Sequence, residues 1–269
     1  MKDRDYVLGT QDEEIERLGL QHRVWRQQML AGFRRAGIGP DKCVVDVGAG
    51  PGFAAVDLAE IVGASGRVVA LERSRRFLDA LESRSASLGL RNVEAREQDV
   101  AEQDFGEAFA DSSWCRWLLS FVSDPKRTVG HVARAIKPGG TALFHEYGDY
   151  GAWRTLPPDP VVERFRTLVM QSWRDSGGEP DIALHLPSWL EAEGLEVVSV
   201  RPMIETVQRD DFVWQWPAAF MATGALRLAE LGYVDAAEAQ CMANALDRLP
   251  AGAWMTTPLV LEIIARKPD

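Results

Sequence analysis

Between residues 43 and 146, short apolar runs alternate with longer segments whose apolar side chains recur at helical spacing. The runs at 43–47, 67–71, 92–96, 112–119 and 141–146 have the length of strands, and 53–62, 74–87 and 125–136 read as helices. Such alternation predicts an α/β fold, a doubly wound and mostly parallel sheet. Upstream, Ile15, Leu18, Val24, Trp25, Met29, Leu30 and Phe33 recur at near-helical spacing across 12–35, acids early and arginines late, so one or two helices precede the break at Gly37. After Glu146 the rhythm changes. Helical periodicity from Val161 to Trp173 gives way to Ser176-Gly177-Gly178-Glu179-Pro180, a strand resumes at 195–200, a second helical stretch runs from Asp211 to Leu249, and 257–265 reads as a last strand.

This pattern predicts one domain of 269 residues without a clean linker. Residues 1–38 form an amino-terminal helical cap, 39–146 a ligand-binding core, 147–193 and 206–250 cap insertions, and 194–205 and 255–267 the final strands.

The chemistry concentrates where the first strand ends. In Val44-Val45-Asp46-Val47-Gly48-Ala49-Gly50-Pro51-Gly52-Phe53 an apolar run delivers an acid and three glycines into a helix start. Glycine lets the backbone approach a ligand, and the crevice beyond strand carboxyl ends is where open sheets bind cofactors. A dinucleotide fits poorly, because Phe53 occupies the position where the pyrophosphate fingerprint needs a small residue, and Asp46 would repel a pyrophosphate while attracting an ammonium. The second strand ends in Glu72, which can accept hydrogen bonds from both ribose hydroxyls. An acid followed by GxGxG, a second-strand acid, Asn92 to Val100, Asp124-Pro125 and Arg134-Ala135-Ile136-Lys137-Pro138-Gly139-Gly140 together resemble class I S-adenosylmethionine-dependent methyltransferases over roughly residues 40–146.

That resemblance implies a Rossmann-like seven-stranded sheet whose last two strands pair antiparallel, the final one inserted, and S-adenosylmethionine as cofactor. It implies that Asp46, Gly48, Ala49, Gly50 and Gly52 meet the methionine side, Glu72 the ribose, and Asp99 and Val100 the adenine, with Arg73 over an adenine face and Leu118 and Leu119 beneath. The plainer alternatives are a solvated Arg73 and leucines that are ordinary core. Tyr6-Val7-Leu8-Gly9 with Glu14 to Gln21 resembles a bacterial small-molecule subgroup whose leading helix closes over the cofactor. There Arg17 is the candidate clamp for the methionine carboxylate, Gln21 its neighbour, and Tyr6 a candidate acceptor contact.

Candidate acid–base groups gather at the end of the fifth strand. Alternation separates His145 from Glu146, so one of them is expected to face the crevice as general base. Tyr147 and Trp153 are expected to shape an acceptor pocket, and of nine tryptophans Trp214 and Trp216, followed by Pro217, are the further pocket candidates.

A net charge of −10 argues against nucleic acid and anionic membrane, which call for a basic surface. Cys43, Cys115 and Cys241 lack metal-ligand or disulfide-framework spacing, so no metal is expected, and with no apolar leader or span the expected location is cytoplasmic. The reading is therefore an enzyme methylating an oxygen, nitrogen or carbon of a small molecule, with secondary metabolism as the expected setting and a homodimer as the assembly the apolar cap suggests. A transfer RNA or protein methyltransferase, or a homologue that binds the cofactor without methyl transfer, stays open.

Overall fold

The computed structural model describes residues 11–269; Tyr6 and its neighbours fall outside them. The chain runs α1 (Asp12–Arg35), β1 (Cys43–Val47), α2 (Phe53–Val62), β2 (Arg67–Glu72), α3 (Arg75–Ser87), β3 (Val93–Glu97), β4 (Ala110–Arg116), α4 (Pro125–Ala135) and β5 (Ile136–Asp149). It continues through β6 (Arg154–Leu156), α5 (Pro160–Asp175), α6 (Leu186–Ala192), β7 (Glu196–Met203), β8 (Thr206–Gln208), α7 (Gln215–Glu230), α8 (Ala236–Ala243), β9 (Trp254–Thr256) and β10 (Leu259–Arg266). The main sheet has seven strands in the order β3-β2-β1-β4-β5-β10-β7. The first five are parallel, and β10 is inserted antiparallel between β5 and β7. Local signals start the helices: Ser74 accepts from Phe77 N, Asp124 from Arg127 N ahead of Pro125, and Asp159 from Val161 N ahead of Pro160.

α1 is one continuous helix of 24 residues with two environments. Its carboxyl-terminal half buries Met29 and Phe33 against Val44, Trp114, Leu143 and Ile264, so it is a layer of the core; only its amino-terminal half extends over the strand ends. The cap insertions also divide differently from the pattern. Ile182, Ala183, Leu186 and Leu190 pack with residues of β4, β5 and β10, which puts 182–192 on the main sheet. The cap proper joins α5, α7 and α8 to a three-stranded antiparallel sheet, β6-β9-β8, that extends to Thr256 and that the helical reading of 211–249 did not anticipate.

β5 is also longer than expected. It starts at Ile136, its register with β4 shifts across the Lys137–Gly140 bulge, and it continues to Asp149. His145 and Glu146 are therefore interior strand residues, each fully buried, rather than side chains at a strand end. His145 points beneath α1, where Nε2 lies 3.1 Å from a Glu262 carboxylate oxygen, and Glu262 also receives two bonds from Arg35 at 2.7 and 2.6 Å. Burial drives the His145 pKa down to about 4, so the neutral ring donates Nε2–H to the carboxylate. Burial opposes ionisation of Glu262, yet the bonds from His145 and Arg35 bring its pKa down to about 2. α1 sits close enough that a Cβ on Gly32 would lie 2.6 Å from Glu262 Oε2. This cluster bolts α1 to the inserted strand, and His145 has no route to the crevice. Replacing Glu262 by Ala strands two donors beneath the helix and is expected to cost about 3 kcal/mol of unfolding free energy at neutral pH. Glu262→Gln is expected to cost less; urea denaturation followed by circular dichroism measures both.

Candidate active site

A cleft of about 790 Å³ opens beyond the carboxyl ends of β1 to β4. It is lined by Asp46, Gly48, Ala49, Gly50, Glu72, Arg73, Asp99, Val100 and Leu118, so the structure brings together nine residues that the sequence placed at the cofactor. Gly52 is not among them: it stands behind the turn, where a Cβ would lie 2.5 Å from Leu81. Phe53 enters the cleft wall because it packs on α1, its ring stacked on His22 at 5.6 Å with the Arg84 guanidinium 4.0 Å above it.

Two acids give the cleft its character. Glu72 accepts from Gly50 N at 3.0 Å and from Ser74 N at 2.9 Å, which ties the glycine turn to the end of β2 and leaves acceptor capacity on each oxygen. Burial raises its pKa. Asp46 is 2% exposed, and its Oδ2 has no hydrogen-bond partner among the described residues. Burial, opposed by Arg116 and reinforced by Glu72, lifts its pKa to about 7. At Gly50, with φ +55°, an added Cβ would meet no atom within 4 Å and would project into open space; at Gly48 it would lie 2.7 Å from Leu118. An orphaned acid, a strand-end carboxylate with spare acceptor capacity and a bare backbone turn suit S-adenosylmethionine.

A second pocket adjoins the cleft and shares Gln21, Trp117 and Phe121 with it. Its walls are aromatic: Tyr147, Tyr150, Trp153, Trp173, Trp216 and Phe220. Trp117 is stacked between Tyr147 at 5.6 Å and Trp216 at 5.5 Å, each 18° from parallel. Tyr147, Trp153 and Trp216 are thus where an acceptor pocket was expected, whereas Trp214 is buried in the cap core and lines neither pocket. Trp117, Phe121 and Phe220 were missed. For Trp117 a signal was available, since it directly follows β4 at the strand ends, and it carries φ 49°, rare for so bulky a residue.

Arg17 stands apart from its expected role, while Gln21 does line the cleft. Arg17 is bound to Glu14 at 2.6 and 2.7 Å and to Gln21 at 3.1 Å, and it lines the aromatic pocket rather than the cleft. Gln21 Oε1 also accepts from Trp216 Nε1 at 3.0 Å, so Gln21 is part of the wall between the pockets. Glu146 is no more a base than His145. Its Oε1 accepts from Leu118 N at 2.9 Å and Leu119 N at 3.1 Å, and burial lifts its pKa to about 7. It holds the loop after β4 from beneath and lines neither pocket. Among the described residues no cluster suits a metal ion, and no helix is long and apolar enough to cross a membrane.

A seven-stranded sheet of this order, with an acid and a glycine turn at β1 and a second acid at β2, defines the class I S-adenosylmethionine-dependent methyltransferase fold. Residues 44–140 match the family model described as a methyltransferase domain, and the fold of the chain is the one that class shares. An uncharacterised 37.1 kDa protein of transposon Tn4556 from Streptomyces fradiae is 26% identical over 231 residues, covering 84% of this chain and 63% of that protein, so the chain spans under two thirds of that relative. Demethylmenaquinone methyltransferase of Bacillus cereus is 25% identical over 193 residues, covering 68% of this chain and 80% of the other. Among solved structures, the YcgJ protein of Bacillus subtilis superposes with a TM-score of 0.60 at 16% identity, covering 92% and 99% of the two chains.

Two outcomes test the cofactor assignment. Glu72→Ala is expected to weaken S-adenosylhomocysteine binding by about tenfold or more in calorimetry, since it removes a charged acceptor and loosens the Gly50 turn. Because only ionised Asp46 attracts an ammonium, wild-type affinity is expected to fall as pH drops below about 7. Asp46→Asn is expected to bind weakly and to lose that dependence; an unchanged pH profile in the variant removes Asp46 from the role.

Proposed function

We propose that the protein transfers a methyl group from S-adenosylmethionine to a flat, largely apolar small molecule. The observation that carries this reading is the aromatic box joined to the cofactor cleft through Gln21, Trp117 and Phe121. The bound cofactor supplies a methyl group on positively charged sulfur. Asp46, Glu72, Asp99 and Val100 hold it, and the rings of the box set a flat acceptor beside the cleft, where fixed alignment and exclusion of water supply much of the acceleration. The Bacillus cereus relative is named for demethylmenaquinone, and aromatic walls suit an acceptor of that chemical kind.

Among the described residues neither a carboxylate nor an imidazole lines the box. Its Tyr150 hydroxyl, pushed well up by burial, stays protonated. The box therefore favours acceptors that lose a proton without a resident base, such as phenols, enols and hydroquinones, methylated on oxygen or an adjoining carbon. The net charge of −10 favours such molecules over RNA.

The test is incubation with S-adenosylmethionine and a panel of hydroxylated aromatic and quinol compounds, with mass spectrometry of the products. The expected result is a gain of one CH2 unit on flat acceptors, and a higher KM in Trp173→Leu with cofactor affinity unchanged. Transfer to RNA or protein and to none of the small molecules overturns the reading.

A further inference from the structure

The cleft holds a guanidinium that the cofactor assignment above leaves without a task. Arg116 ends β4, two residues beyond Trp114, which sits opposite Asp46 in the register of β1 with β4. Strand alternation therefore puts Asp46 and Arg116 on one face of the sheet, at the mouth of one cleft. Among the described residues no carboxylate lies within ion-pairing distance of Arg116. Its bonds go to neutral acceptors, His22 Nδ1 at 3.4 Å and Met29 Sδ at 3.8 Å, and its charge lies over the rings of Trp117 at 5.1 Å and Trp114 at 5.6 Å. Burial brings its pKa down to about 10 although Asp46, Asp57 and Tyr147 oppose that fall. Asp46 is in the converse condition, with Oδ2 unpartnered. A cation and an anion thus share a cleft, feel one another's field, and do not touch.

The setting of Arg116 is built. His22 Nε2 lies 3.1 Å from Asp57 Oδ2, and Asp57 is held in turn by Arg26 at 2.9 to 3.1 Å. Burial keeps His22 neutral, so Nε2–H donates to Asp57 and the Nδ1 lone pair receives an Arg116 N–H. α1 in this way orients the guanidinium from behind and leaves its other donors for the cleft.

We infer that Arg116 clamps the carboxylate of the cofactor's amino-acid end while Asp46 takes its ammonium, the two separated charges together reading a zwitterion, with His22 as positioning residue. This rests on the cofactor reading proposed above and moves the carboxylate role from Arg17, whose guanidinium is engaged by Glu14 outside the cleft. A planar guanidinium matches a carboxylate bidentately, and a half-buried guanidinium held only by weak neutral acceptors keeps donors for one.

The experiment compares calorimetric affinities for S-adenosylhomocysteine, which carries the zwitterion, and 5′-methylthioadenosine, which keeps the nucleoside and lacks the zwitterion. Wild-type protein is expected to prefer the former strongly. Arg116→Met is expected to lose about ten- to a hundredfold in affinity for S-adenosylhomocysteine with little change for methylthioadenosine. His22→Phe is expected to lose part of the preference. A folded Arg116→Met protein that keeps the wild-type preference, or loses both ligands equally, overturns the inference. Should that variant fail to fold, Arg116→Lys decides: a reduced preference supports the clamp and a full one overturns it. Wild-type protein that binds neither ligand overturns the methyltransferase reading itself.

Discussion

The burial of one helix against the sheet governs the geometry of everything above it. α1 is anchored by Met29 and Phe33 in the core and by the Arg35–Glu262–His145 cluster at its carboxyl end. Because a helix of this length is stiff, that anchoring also sets where Gly19, His22 and Trp25 fall over the strand ends. Gly19 gives room for the Phe53 ring, which would lie 2.9 Å from a Cβ there. His22 reaches Asp57 and Arg116, and Trp25 meets Trp117 and Trp216 edge-on at 5.3 and 5.0 Å. The cleft wall and the guanidinium are thus both referred to one buried helix face, and precise placement of reacting groups needs such support.

Buried acids show how one chemical group serves different ends. Asp46 and Glu72 stand at the ends of β1 and β2 and look into the cleft; Glu146 and Glu262 lie inside the sheet and look at backbone N–H groups and at basic side chains. What separates them is where they face: Asp46 and Glu72 line the cleft, whereas Glu146 and Glu262 line neither pocket. Glu262 is saturated and held ionised, whereas Asp46 is left unsatisfied and poised near neutrality. An unsatisfied carboxylate that also faces the cleft, as Asp46 does, is one that a ligand can relieve.

That distinction also explains which parts were legible in the sequence. The β1 turn, the order of the parallel strands and the acids of the first two strands follow from local pattern, because a strand end and a glycine turn are marked by adjacent residues. His145 and Glu146 were misplaced because the Lys137–Gly140 bulge lets β5 run on to Asp149, and the partners that bury them, Glu262 and Leu118, are far away in sequence. Arg17 was read as free because its partner Glu14, one turn away on the same face, competes for it. Arg116 ends, and Trp117 directly follows, a strand that was drawn three residues too long, to 119, which hid both inside it. Trp214 and Trp216 are equivalent in pattern; only tertiary packing sends one to the cap core and the other to the box.

The box itself carries a dynamic consequence. Its free volume is about 20 Å³, room for about one water molecule and not for an aromatic ring. An acceptor can enter only if rings of the box move, and the stack of Tyr147, Trp117 and Trp216 is the wall it shares with the cofactor cleft. Trp117 is the strained member: its φ of 49° is held because its N–H donates to His145 O at 3.0 Å and because Glu146 fixes the next two amides. Its indole N–H has no partner among the described residues, nor has that of Trp25 against it. A ring held in an unfavourable backbone conformation, with its one polar atom unsatisfied, is stabilised mainly by stacking, and an incoming flat ring can replace that stacking. The sheet and α1 thus support the cofactor side from below, and a flat molecule seated in the box would have to displace rings of this stack.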